Sequence, residues 1–189
     1  SDRTVRRCGS GDPALPNKPD VAQNVEQGLR IAMQALAEVG LDKDPALLAV
    51  LEGQTIAQVK GLTRADLEVL YAYGFSMIAG GDADRAEPFF MHLCFIDPLI
   101  AKNHYCLGIV RQMKQQWDTA IDDFARFCAL DATNPEGYLR IGECLTAKGD
   151  KAEARRVFDV ALREARKGHG PKNAVEQAER ALASLDKGE

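Results

Sequence analysis

From residue 19 onward, apolar positions recur at steps of three or four, the spacing that lines one face of an α-helix. Val21, Val25, Leu29, Ala32, Leu36 and Val39 are separated by 4, 4, 3, 4 and 3 residues. An amphipathic helix is predicted there, with Gly40 as its stop. After Asp44-Pro45 a shorter apolar segment runs from Pro45 to Leu51, followed by Gly53, a Thr55 to Val59 stretch and Gly61. No segment alternates convincingly at two, the strand period, so an all-α fold is predicted.

Further along, the pattern repeats itself. Gly74, Gly108 and Gly142 are 34 residues apart, as are Ala86, Ala120 and Ala154, and Phe90, Phe124 and Phe158. Three columns in one register define three units, 67–100, 101–134 and 135–168. Within each, Gly falls at place 8, Ala at place 20 and Phe at place 24, with Leu93, Phe127 and Ala161 at place 27. Each unit reads as two antiparallel helices, with a small residue at the crossing and the Phe filling the space between pairs. The chain reverses near Gly80-Gly81, Lys114-Gln115 and Lys148-Gly149. Thr63 and Asp66 supply a capping signal before the first unit. Beyond Gly170-Pro171, Ala174, Ala178, Ala181, Leu182 and Leu185 mark one more amphipathic helix. A helix there would cap the exposed apolar end of the stack.

Composition narrows the function. Of 189 residues 46% are hydrophobic and 28% charged, enough apolar material for a packed core, with one compact domain as the default expectation. The balance of 24 basic against 28 acidic residues gives −4, so no positive field favours nucleic acid or an anionic membrane. The longest apolar run, Ala46 to Leu51, is six residues, against the roughly twenty of a membrane-spanning helix. Residues 1–18 hold Arg3, Arg6 and Arg7 without the apolar stretch of a secretory signal, so they read as a flexible tail, and a cytoplasmic location is expected. Cys8, Cys94, Cys106, Cys128 and Cys144 form no CxxC pair and read as reduced, mostly packed thiols. His92, His104 and His169 are scattered. No metal, cofactor or catalytic constellation is assembled, and an enzyme is not expected.

The 34-residue period with its small, small and aromatic columns resembles the tetratricopeptide repeat family. That likeness implies an α-solenoid: N-terminal helices over 19–62, three helix pairs within 63–168, and a C-terminal capping helix in 169–189. The family's Trp at place 4 is replaced by Leu70, His104 and Tyr138, and a Pro at place 32 occurs only as Pro98. In this family, places 2, 5, 9, 12 and 13 of each first helix face the ligand across a concave groove. Here they hold Glu68, Tyr71, Phe75, Ile78 and Ala79, then Lys102, Tyr105, Ile109, Gln112 and Met113, then Glu136, Leu139, Glu143, Thr146 and Ala147. The first two thirds of the groove should therefore be apolar and aromatic. The candidate peptide-binding residues are Tyr71, Phe75, Ile78, Tyr105, Ile109, Gln112 and Leu139; the plain alternative is that they pack inside the fold. The basic clamp by which some members grip a free carboxylate is absent, its places being Tyr71, Phe75 and Cys106. An extended peptide with apolar anchors is the better ligand.

The segment Gly61-Leu62-Thr63-Arg64-Ala65-Asp66-Leu67-Glu68-Val69-Leu70-Tyr71-Ala72-Tyr73-Gly74-Phe75, with Phe89 to Asp97 and Leu107 to Gln112 downstream, is similar to the class II type III secretion chaperones. That resemblance implies a cytoplasmic protein that keeps the hydrophobic translocators soluble before export. It also implies a groove for a Pro-x-Leu-x-x-Pro-like client segment, and a homodimer through the N-terminal helix. That helix could instead fold back on the first repeat, and a generic tetratricopeptide scaffold is the alternative function. The spacing predicts a far-UV circular dichroism spectrum of helix without strand; a substantial strand signal would remove the repeat reading.

Overall fold

In the computed structural model, which describes residues 21–38, 40 and 43–186, every regular element is helical. The described residues fall into two compact units that meet at Gly53 and Gln54, rather than one. The first holds α1 (Val21–Glu38) and α2 (Pro45–Leu51). α2 starts where Asp44 accepts hydrogen bonds from the amides of Ala46 and Leu47, but it buries no residue. α1 spans the predicted helix, whereas the side chains of Val21, Val25, Leu29, Ala32 and Leu36, the whole of Val39, and the 1–18 segment lie outside the described residues.

The second unit opens with α3 (Ile56–Val59), whose four residues are set by a capping box between Thr55 and Gln58. Three helix pairs follow: α4 (Arg64–Ala79) with α5 (Ala83–Ile96), α6 (Ala101–Met113) with α7 (Trp117–Leu130), and α8 (Pro135–Lys148) with α9 (Lys151–Arg166). α10 (Ala174–Asp186) packs on both α8 and α9 as the capping helix. Thr63 and Asp66 form the expected box, each satisfying the other's amide at the start of α4.

The glycine and phenylalanine columns meet within each pair, and the rings also fill the space to the next one: Phe90 clusters with Cys106, Leu107 and Val110 of α6, and Phe124 with Cys144 of α8. A Cβ on Gly108 would lie 2.6 Å from the Phe124 ring, one on Gly74 2.7 Å from Phe89 and 2.9 Å from Phe90, and one on Gly142 would strike Phe158. Each first helix thus settles onto the ring its partner helix presents. Phe90, Phe124, Ala86, Ala120 and Ala154 are fully buried, and Phe158 almost so. Two of the three place 4 residues that stand in for Trp find a shared solution: His104 bonds the Pro98 carbonyl at 2.9 Å, and Tyr138 donates to the Ala132 carbonyl at 2.9 Å. Both carbonyls sit at place 32 of the preceding unit, so each bond ties one pair to the next.

The turn inside each pair closes alike, with the amide at place 16 donating to the carbonyl at place 11. Place 15 must then adopt a left-handed backbone. Gly81 (φ 76°) and Gly149 (φ 87°) do so freely, but the middle unit puts Gln115 there at φ 58°. Asp82 and Asp150 next cap α5 and α9, whereas Gln116 gives α7 no side-chain cap.

Gln115→Gly combined with Gln116→Asp should raise stability by about 1–2 kcal/mol, the left-handed strain and the missing cap each contributing about 0.5–1 kcal/mol. Gly108→Ala should do the opposite, because overpacking costs about 1–3 kcal/mol and outweighs the roughly 1 kcal/mol a helix gains when Ala replaces Gly. Phe124→Ala should cost about 3–5 kcal/mol. Urea unfolding of each variant checks the three signs.

Candidate peptide-binding groove

The first helices α4, α6 and α8 lie side by side, and places 2, 5, 9 and 12 form a continuous row across them. On α4, Tyr71 stacks on Phe75 with ring centres 6.1 Å apart and meets Phe90 edge-on. Phe75 is 50% exposed and is the largest free apolar surface in the row. Ile78 is half-buried against the first core cluster. On α6, Tyr105 packs edge-on to Phe124 and 5.1 Å from Phe127. Ile109 is half-buried against the cluster of Ala120, Phe124 and Cys144. Leu139 on α8 is 6% exposed and belongs to the core that α10 covers. The structure therefore brings all seven candidates to one face at unequal depth: Phe75 outermost, Leu139 at the floor.

That face is less apolar than its sequence suggests. Lys102 sits 4.1 Å over the Tyr71 ring and pairs with Glu68, covering the aromatic surface with a cation. The Tyr71 hydroxyl accepts from the Cys106 thiol at 3.5 Å, and the Tyr105 hydroxyl accepts from Arg140 Nε at 3.2 Å. These two bonds share one geometry, place 5 of one unit to place 6 of the next. Tyr105 also donates to Glu136 at 2.9 Å, Gln112 donates to Glu143 at 2.9 Å, and Arg140 bridges to Glu143 at 3.0 Å. A ladder of polar rungs thus joins α4, α6 and α8. Burial pushes the phenol pKa values of Tyr71 and Tyr105 up, so both hydroxyls stay protonated at neutral pH. The Lys102 hydrogen bond holds Glu68 below its ordinary value. Burial also pushes the thiols of Cys94, Cys128 and Cys144 up, to about 12, 11 and 11, which leaves them inert.

The row continues past the third pair. A cleft of about 590 Å³ is lined by Glu136, Leu139, Arg140, Glu143 and Phe158, and on α10 by Gln177, Arg180 and Ala181. Extending the register to a fourth unit from residue 169 puts Gln177, Arg180 and Ala181 at places 9, 12 and 13. The capping helix therefore stands where the first helix of a fourth unit would, a continuation that the 34-residue count alone would have exposed. Arg140, at place 6, brings positive charge to the row and spends part of it on a neighbour's hydroxyl, donating from Nε to Tyr105.

The tetratricopeptide repeat family profile matches residues 136–167. The low calcium response locus protein H of Yersinia pestis is 32% identical over 102 residues, covering 54% of this chain and 61% of that protein. Chaperone protein SicA of Salmonella dublin is 31% identical over 114 residues, covering 59% of this chain and 68% of its own length. The chain thus spans less than two thirds of the first relative. Among solved structures, the Yersinia enterocolitica type III secretion chaperone SycD in complex with a peptide of the translocator YopD is 26% identical with a TM-score of 0.62. It covers 68% of this chain and 98% of the other.

Because Tyr105 packs on two rings and holds two rungs, Tyr105→Ala should destabilise the fold by about 3 kcal/mol or more. Tyr105→Phe should lose only about 1 kcal/mol, the share of its hydrogen bonds. Thermal melts of the two variants separate the ring's contribution from the hydroxyl's.

Proposed function

The chain belongs to the type III secretion chaperone family of SicA, and from that premise we propose that it holds the hydrophobic translocator proteins of a secretion apparatus before export. It does so in the bacterial cytoplasm, as a binding protein and not as an enzyme. The client lies extended along the row formed by α4, α6 and α8, with Pro and Leu side chains in contact with Phe75, Tyr71 and the apolar stems around them. What supports this reading is an aromatic surface, Phe75 on Tyr71, left open on a fold whose solved relative carries a translocator peptide.

Physically, such a chaperone works by mass action. Apolar segments that would otherwise associate are covered, and the bound form is favoured by RT ln(1 + [L]/Kd). The polar ladder makes the empty face water-compatible, and an extended client supplies backbone groups to the same charged and hydroxyl side chains. We also propose that the chain self-associates through α1, whose positions repeat at helical spacing.

Titration with a Pro- and Leu-containing translocator peptide tests the client site. Phe75→Ala should leave the melting point nearly unchanged, since the ring is half exposed, and weaken binding by about 2 kcal/mol, roughly thirtyfold. Equal affinity of variant and parent would remove the groove reading. A charge at Ile109 is a poorer probe because that side chain supports the core. Light scattering of a chain starting at residue 41 should show the monomer mass, and an unchanged dimer mass would count against α1.

A further inference from the structure

A second cleft lies away from the aromatic row, between the second helices of the first two pairs. It measures about 390 Å³ and is lined by Met91, Cys94 and Phe95 of α5, by His104, Leu107 and Arg111 of α6, and by Asp123 and Arg126 of α7. One wall is apolar and open to solvent. Met91 is 48% exposed and Phe95 67%, two large side chains one helical turn apart on α5. Nothing in the fold of the second unit uses this stripe, because Leu93 and Ile96 on the same helix already fill the core.

The opposite wall is charged in an ordered way. Asp123, its side chain 2% exposed, accepts from Arg111 at 2.7 Å and from Arg126 at 2.9 Å. Arg111 is held again by Glu87, which Lys114 also binds. The Arg126 side chain is 56% exposed and is tied only at the Asp123 end, so its remaining N–H donors face solvent beside the apolar stripe. His104 lies behind this wall, 6% exposed. Its Nε2 sits on the Pro98 carbonyl, which can only accept, so Nε2 carries the proton and the buried Nδ1 is left without a partner.

We propose that this cleft docks an amphipathic helix of a second protein. That helix carries two apolar side chains one turn apart against Met91 and Phe95, and a carboxylate paired with Arg126. The argument is one of complementarity. A groove between two parallel second helices accepts a third helix by ridge-into-groove packing, the stripe's step of four matches the i, i+4 anchors of a helical ligand, and the exposed charge is cationic. A carboxylate there meets a guanidinium already oriented by Asp123. The site is separate from the aromatic row, so both can be filled at once, and the inference does not depend on what the row binds.

The probe is a stapled helical peptide of about 15 residues with leucines at i and i+4 and a glutamate on the flank, together with its Glu→Lys counterpart. Calorimetric titration against the full chain should show the glutamate peptide binding about tenfold more tightly than the lysine one. Arg126→Glu should reverse that order. Because Arg126 also holds Asp123, this variant could lose its fold, and Phe95→Asp at a mostly exposed position then carries the test by abolishing binding of both peptides without lowering the melting point. Saturating the row with the translocator peptide should leave the affinity unchanged. Equal affinity of the two peptides, indifference to Phe95→Asp, or displacement by the translocator peptide would each overturn the proposal. So would a dimer in the parent chain that Phe95→Asp converts to monomer, because a second copy would then fill the cleft.

Discussion

Each helix pair of the second unit stands at a separation set by an aromatic ring lying where a glycine has no side chain. At Gly74, Gly108 and Gly142 the facing rings occupy the volume a Cβ would need. The backbone of the first helix therefore comes within van der Waals reach of Phe89 and Phe90, of Phe124 and of Phe158. Interiors packed at crystal-like density allow little adjustment, so this contact governs much else. It fixes how far apart the two helices stand, and with the buried alanines at place 20 it presents the next pair with the same surface three times. The row of groove side chains follows from that repetition. Equal spacing of α4, α6 and α8 is what lets Tyr71 reach Cys106 and Tyr105 reach Arg140 by the same step.

The middle pair departs from the rule of its neighbours in two ways. Its turn uses Gln115 at positive φ, and its second helix starts at Gln116 without a side-chain cap. The same pair is the one most tied to its surroundings: Tyr105 and Gln112 bond α8 across the row, while Arg111 joins α5 through Glu87 and α7 through Asp123. Tertiary contacts on both sides hold the local conformation that the turn residues disfavour. A buried carboxylate shared by two guanidiniums is stable only while all its partners are in place, since an unpaired charge there would have to be desolvated alone. The Asp123 cluster thus links the first and second pairs in a way that depends on register, as the glycine and phenylalanine contact does.

Function follows from how the same solenoid treats its two faces. Along the first helices, polar rungs cover the aromatic surface, with Lys102 over Tyr71 and Phe75 left open at the edge. Along the second helices, apolar side chains are left uncovered and the charge is kept in the adjoining wall. A face covered by exchangeable hydrogen bonds suits an extended ligand that brings its own backbone donors and acceptors. A bare stripe at helical spacing suits a helix, whose backbone is already satisfied.

By itself the sequence determined the all-helical class, the three units and their register, the turns, the Thr63 capping box, and which columns would be small or aromatic. Periodicity carries that information because burial on one helix face imposes a three-or-four step, and stacking imposes the 34-residue return. The seven candidate residues came from the tetratricopeptide likeness and not from the periodicity. Their depth was decided only in the tertiary structure. Leu139 sank to the floor because α10 closes over it, Ile109 became core support, and Tyr105 joined the packing around Phe124. The phenylalanine column fills the gap to the next pair, as Phe90 does beside Cys106, Leu107 and Val110, and only the tertiary structure showed that the same rings also close their own pair at the glycines. Lys102 over Tyr71 and Asp123 between Arg111 and Arg126 were invisible beforehand for one reason. Which partner a long charged side chain takes is set by the distances between helices, and local spacing in the chain says nothing about those.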